Sequence, residues 1–183
     1  MRLYKIFNQM SITSYKIYKY DGSISDFKDT YMNINDIHKP IYFFRKITKN
    51  RNELHISNIL MKYPHPNIVK IYRVSDDYVD MELLPYLKNN YNFDKNTIIK
   101  TMNDVRKHLH NLGIAYIDWK YDNIGLDENG NYKLFDFDVS CIYNNNEWII
   151  EPPHYYSYKK AIKNGFIIPT DIDNYSFFIN IIK

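Results

Sequence analysis

Asp118, Lys120 and Asn123 stand in the order D-x-K-x-x-N, and a further acid, Asp136, follows them. These residue types suit phosphoryl transfer. That reaction asks little covalent work of a protein. It needs a carboxylate to orient a hydroxyl and accept its proton, a cation close to the migrating charge, and oxygen ligands for Mg²⁺. Asp118 suits the first task and Lys120 the second, while Asn123 and Asp136 are hard oxygen donors of the kind Mg²⁺ takes. The two prospective metal ligands are apart in sequence, so a hairpin must bring them together. Glu128-Asn129-Gly130-Asn131 predicts one, because Asn-Gly supplies the positive φ angles of a tight turn. The strand after it, Tyr132-Lys133-Leu134-Phe135, delivers Asp136.

The elements that must position these side chains follow from periodicity and punctuation. Ile98, Ile99, Met102, Val105, Leu109 and Leu112 recur at helical spacing, which predicts a helix over Thr97–Leu112 with Gly113 at C′. His108 and His110 read as surface or satisfied residues, and no His/Cys cluster has zinc spacing. Ile41–Ile47 reads as a buried strand ending in a cation, and strand alternation sends only one of Arg45 and Lys46 inward. A short helix is expected over Asn52–Tyr63, capped by Asn52 or Asn50, with Leu54, Ile56, Ile59 and Leu60 as its apolar side. Pro64 and Pro66 stop it. Nearer the start, Tyr15–Tyr20 alternates as an edge strand would, and Asp21-Gly22-Ser23 is a turn signal.

The loop and hairpin resemble the catalytic and metal-binding loops of eukaryotic-type protein kinases, especially the serine/threonine branch. Tyr116-Ile117-Asp118 stands where that family has H-R-D. Asp118–Asn123 stands where it has D-x-K-P-x-N, and Asp136-Phe137-Asp138 where it has D-F-G. His65-Pro66-Asn67-Ile68-Val69 resembles the family's H-P-N-I-V segment, and Tyr78–Pro85 its hinge. Asp173-Asn174-Tyr175-Ser176-Phe177 resembles the D-x-W-S that opens a buried central helix. The resemblance implies a two-lobed α+β fold in a single domain over residues 1–183. It has a small β-rich N-lobe over about 1–82, a hinge over about 82–88, and a truncated, mainly helical C-lobe over about 89–183 that ends in the central helix. It implies an ATP- and Mg²⁺-dependent phosphotransferase acting on Ser/Thr hydroxyls of proteins. Asp118 and Lys120 are then catalytic, and Asn123 and Asp136 hold the metal. Lys46, with Arg45 as rival, contacts the α- and β-phosphates, and Glu53 orients it. Met81, Glu82 and Leu84 surround the adenine, with Gly125 beneath it, and Asp173 steadies the catalytic-loop backbone.

The sequence also departs from that pattern. Gly22 is the one glycine where the family has G-x-G-x-x-G, which leaves Ser23 and Ser25 to share the phosphate contact. Ile117 replaces the arginine that clamps a phosphorylated activation loop, and Asp138 replaces a glycine. By the resemblance, the chain is expected to lack the helices that follow the central helix in the family. These departures keep two other functions in view. One is a pseudokinase, a nucleotide-binding interaction module. The other is a small-molecule kinase of the aminoglycoside or choline type, which Asp138 allows and which Lys120 and His65–Val69 oppose.

Composition narrows the setting. At 183 residues the chain fits one domain. No apolar run is long enough to span a membrane, and the N-terminus lacks a signal-peptide pattern. The single cysteine, Cys141, cannot form an internal disulfide, so a cytoplasmic location is expected. A net charge of +3 is too mild to imply nucleic acid. Heavy use of Tyr, Ile, Lys and Asn points to an A/T-rich genome such as that of a large DNA virus. The last segment, Tyr175–Ile182, is apolar nearly all round. Its expected cover is a second copy or a partner chain, in addition to a protein substrate bound at the site.

Overall fold

The computed structural model describes residues 43–84, 94–150, 152–153 and 156–183, together with the strand course of 13–18, 24–29 and 86–87. The first half forms strands β1 (Thr13–Tyr18), β2 (Ile24–Asp29) and β3 (Phe43–Ile47), helix α1 (Arg51–Lys62), and strands β4 (Ile71–Val74) and β5 (Tyr78–Glu82). The strands make one sheet in the order β2-β1-β3-β5-β4. All neighbours are antiparallel except β1 and β3, which run parallel. The strand expected at Tyr15–Tyr20 forms over Tyr15–Tyr18, with Lys19 and Tyr20 outside the described residues; among the described strands β2 takes the sheet edge and β1 lies inside. Alternation reports the two faces of a strand and carries no information about whether both of its edges are paired. Gly22 and Ser23 lie outside the described residues.

Helix α1 begins at Asn50. Its side-chain oxygen accepts from the backbone N–H groups of Asn52 (3.0 Å) and Glu53 (3.3 Å). Of the two candidate caps, Asn50 takes the role, and the Asn52 amide instead donates to the carbonyl of Ser140. Leu54, Ile56 and Leu60 are buried against the sheet, as the spacing predicts.

The second half contains β6 (Tyr86–Leu87), α2 (Lys95–Asn111), β7 (Ile114–Ala115), β8 (Ile124–Leu126), β9 (Tyr132–Leu134), β10 (Cys141–Asn144), β11 (Glu147–Trp148), α3 (Tyr156–Lys163) and α4 (Pro169–Phe177). A π-helical turn, Phe178–Ile182, extends α4. Helix α2 starts two residues before the expected Thr97, because Asp94 caps it by accepting from the Asn96 N–H. Ile98, Met102, Val105 and Leu109 are fully buried. Gly113 ends the passage at φ +70°, and a Cβ there would lie 2.6 Å from the carbonyl oxygen of Tyr143. Both facts require glycine.

The two halves share a core that runs from α1, β4 and β5 to α2, β8 and β9. The join is the segment at 65–69. Val69 donates its N–H to Leu134, Leu134 donates to Asn67, and the Asn67 side chain donates to the carbonyl of Tyr132. His65 is structural, as expected: its Nδ1 accepts from the Asn67 N–H. Cys141 is a buried free thiol. Among the described residues no helix is long and apolar enough to cross a membrane.

Helix α4 fixes the loop before β8. Asp173 is fully buried. Its Oδ1 accepts from the Ile117 backbone N–H (2.7 Å) and the Trp119 indole N–H (2.8 Å), and its Oδ2 lies 2.7 Å from His110 Nε2. Ser176 Oγ donates to the carbonyl of Ile117. Ile117 has φ +66°, which is unusual for a β-branched residue. Its backbone is therefore held from both sides. In the last turn Phe177 and Ile181 are buried while Phe178 and Ile182 are exposed, so the segment covers one side of itself only.

Asp173→Ala strips two buried N–H donors of their acceptor. We expect it to lower unfolding free energy by roughly 3 kcal/mol or more, measured by urea denaturation. Asp173→Asn keeps one acceptor oxygen and should recover part of that loss; equal stability of wild type and Asp173→Ala would show that the loop is held by other means.

Candidate active site

Strand β3 presents its two cations to opposite faces. Arg45 makes a two-point pair with Asp80, Nε to Oδ1 at 2.6 Å and Nη2 to Oδ2 at 2.8 Å, and its guanidinium lies 4.0 Å from the Tyr78 ring centroid. Lys46 points the other way. Its Nζ is 2.6 Å from Glu53 Oε1 and 2.6 Å from Asp136 Oδ1. Burial alone would lower the Lys46 pKa, but Glu53 and Asp136 outweigh it and raise the value, so the ammonium keeps its charge. Glu53 is almost fully buried, and its second oxygen has no hydrogen-bond partner.

The loop held by α4 carries the second group of side chains. Lys120 Nζ is 2.6 Å from Asp118 Oδ2. A 3₁₀ turn over Tyr121–Asn123 lifts Asn123 into a buried position, where its amide donates to the Asp118 carbonyl (3.1 Å) and to Asp118 Oδ2 (3.0 Å). The Asn123 carbonyl accepts from the Phe135 N–H, which ties the loop to the residue just before Asp136. Asp136 itself sits at φ +63°. Burial would lower the Lys120 pKa, but the hydrogen bond and charge of Asp118, with Asp136 beyond it, raise it.

Tyr116 braces this arrangement. It is fully buried, its hydroxyl donates to the Phe135 carbonyl (2.5 Å), and its ring meets Phe137 edge-on at 5.2 Å. Burial, then the charges of Asp136 and Asp118, push its pKa well above the usual phenol value, so it remains a neutral donor. Asp138 is half-buried, and one of its carboxylate oxygens lacks a hydrogen-bond partner. Burial, followed by the neighbouring Asp136, raises its pKa.

Between the sheet and this loop lies a cleft. Lys46, Met81, Glu82, Leu84 and Asp136, all picked from the sequence, line it together. Glu53 joins them through Lys46, and Asp118, Lys120 and Asn123 stand alongside as one bonded group. Gly125 is buried in β8, opposite Leu87 on one side and Lys133 on the other. Lacking a side chain, it offers the cleft no wall of its own. The remaining lining is Phe44, Val69, Leu83 and Phe135, which the sequence reading did not single out. Two of them had a usable signal: Phe44 is two residues from Lys46 and so shares its strand face, and Phe135 directly precedes Asp136. His110, expected to be a surface or satisfied residue, is satisfied, and its partner is Asp173, the anchor of the loop.

The model of the protein kinase domain matches residues 31–160, more than half of the chain. A cAMP-dependent protein kinase, catalytic subunit-like, from Caenorhabditis briggsae is 29% identical over 109 residues, covering 51% of this chain and 28% of that protein. Ribosomal protein S6 kinase alpha-6 from Danio rerio is 36% identical over 96 residues, covering 45% of this chain and 13% of the relative. Serine/threonine-protein kinase PSK1 from Saccharomyces cerevisiae is 30% identical over 109 residues, covering 51% of the chain and 8% of the relative. The matches thus span less than a third of each of these relatives. The chain belongs to the protein kinase domain family, and its small β-sheet lobe and helical second half are that family's fold.

Proposed function

We propose that the chain transfers a phosphoryl group from ATP, with Mg²⁺, to serine or threonine hydroxyls of proteins. The observation that carries this reading is Lys46 bridging Glu53 and Asp136 at the wall of an apolar cleft, beside the bonded set Asp118, Lys120 and Asn123. Met81, Leu84 and Val69 offer the base an apolar slot. Lys46, fixed by Glu53, is positioned for phosphate oxygens. Asp118 accepts the proton of the attacking hydroxyl, and Lys120 balances charge beside it. The serine/threonine preference rests on Lys120 and on similarity to the yeast serine/threonine-protein kinase PSK1.

The residues fit Mg²⁺. Among the described residues no group of three or more His, Cys, Asp or Glu could hold a metal by itself. Mg²⁺ does not ask for such a cage; it takes one or two protein oxygens and completes its shell with phosphate and water. Asn123 and Asp136 are that pair, and the Phe135 N–H, donating to the Asn123 backbone carbonyl, ties their two segments together. When bound, the ion neutralises charge on the phosphates.

Ile117 removes the arginine that would read a phosphate on the following segment. Its own backbone contacts hold the described part of that segment. Strands β10 and β11 pair across a turn at Asn145 (φ +49°) and Asn146 (φ +64°), the signs a tight hairpin turn needs, and the N–H groups of Ile149 and Ile150 both reach the Ile142 carbonyl.

Three outcomes follow. Asp136→Ala should abolish the Mg²⁺-dependent part of ATP binding and Asn123→Ala should weaken it less, as read by calorimetry with and without Mg²⁺; identical, Mg²⁺-independent binding by all three proteins removes the metal site. Asp118→Asn should leave ATP binding nearly intact and cut phosphate transfer by about 10²-fold or more. Transfer at the wild-type rate would end the role of Asp118, and a wild type that binds ATP but transfers nothing would make the chain a nucleotide-binding module. Finally, protein treated with a phosphatase should keep full activity, and the appearance of an activating phosphate at Ser140 or Tyr143 in mass spectra would contradict the self-ordered segment.

A further inference from the structure

We propose a second ligand site, a crevice behind the α1–β4 connection that takes a small amphipathic carboxylate and acts on the nucleotide cleft through Glu82. The effect on the cleft rests on the function proposed above; the site itself does not. The floor of the crevice is apolar, formed by Leu60, Ile68, Val69 and Ile71, each no more than 7% exposed, with half-open Met61 at the mouth. His65, Lys70 and Lys133 supply its polar edge. An apolar pocket with one convergent charged group calls for a ligand with an apolar body and one charged head.

Lys133 sets the sign of that head. Its side chain is 11% exposed, and its contacts are long, 3.3 Å to Glu82 Oε2 and 3.6 Å to Asp127 Oδ2. The buried ion pairs at Lys46 are 2.6 Å by comparison. Both acceptors are already engaged by closer donors. Asp127 takes the N–H groups of Asn129 and Asn131 and the Asn131 amide, and Glu82 Oε2 takes the Lys70 N–H at 3.0 Å. Lys133 is therefore a buried ammonium held by two long ion pairs, and a ligand carboxylate would seat on it by displacing Glu82. Lys70 is exposed at the rim and adds a second positive charge. His65 is held below its usual pKa by burial, then His108 and Lys133, against the opposing pull of Asp104. It adds a neutral ring to the wall.

The crevice and the nucleotide cleft are back to back. Val69 lines both. Glu82 lines the cleft, donates its N–H to the Lys70 carbonyl (2.8 Å), and sends its carboxylate to the Lys70 N–H and to Lys133. A carboxylate seated on Lys133 competes with Glu82 for the ammonium, and Glu82 belongs to the wall that receives the base. Occupancy of one pocket then changes affinity in the other, reciprocally.

Sodium octanoate serves as the probe. The full chain is titrated while the methyl resonances of Met61, Ile68 and Ile71 are followed, with Met81 as the reporter of the nucleotide cleft. We expect saturable shifts at the first three that exceed the shift at Met81. The exposed-residue variants Lys70→Glu and Met61→Glu should each weaken octanoate about tenfold by placing a like charge at the mouth, with melting temperature unchanged. Unsaturable shifts, a larger response at Met81, or full affinity in both variants would overturn the site. Saturating octanoate should also alter ATP affinity about fivefold, and an unchanged affinity would overturn the coupling. A chain that binds octanoate but no ATP at all would defeat the proposed function and the coupling with it, while the methyl titration would still decide the site.

Discussion

The carboxylate of Asp173 receives donors from three places: the backbone of Ile117, the indole of Trp119, and His110 on α2. A fully buried carboxylate is tolerable only when its lone pairs are taken up, and each of these donors takes one. In return Ile117 is held at a positive φ that a β-branched residue avoids, a strain of order 1–3 kcal/mol. Ser176 secures the other side of the same peptide. The next residue is Asp118. The direction in which its carboxylate points is thus fixed by a helix more than fifty residues away in sequence.

The opposite wall of the cleft depends on a charge relationship rather than on strain. Lys46 stands between Glu53 and Asp136, so one cation joins β3, α1 and the segment after β9. Its position is meaningful only because those elements are already registered by other contacts. The bonds of Asn67 and Val69 to the β9 strand set the sheet on the hairpin. Asn50 caps α1 and also donates its side chain to the Asp138 carbonyl, so the helix that carries Glu53 and the segment that carries Asp136 share one anchor. Acid predominates around this point, and the raised pKa of Asp138, from burial and then from Asp136, is the local consequence.

Asp118, Lys120 and Asn123 lie within one short loop, so their grouping is legible in the sequence without the fold, and the structure bonds them to one another. The apolar periodicity of α2 was equally local, since a helix face needs a particular spacing. The hairpin after β8 forms as expected, but only Gly130 takes a positive φ, +80°, and Asn129 does not. Helix ends were off by a residue or two, because Asp94 and Asn50 as caps compete with other polar residues nearby.

What remained open was decided by contacts between distant segments. Alternation said that only one of Arg45 and Lys46 faces inward; Asp80 on β5 and Glu53 on α1 determined which. The placement of β1 inside the sheet and the presence of Phe44, Val69, Leu83 and Phe135 along the cleft depend on which strands and loops meet. No spacing along the chain encodes such meetings. The sequence alone determined which chemistry the loop could perform, because that chemistry resides in residue type and short-range order. The tertiary structure decided which cation faces the cleft, which walls enclose it and which buried carboxylate holds the loop, because these are set by packing across the fold.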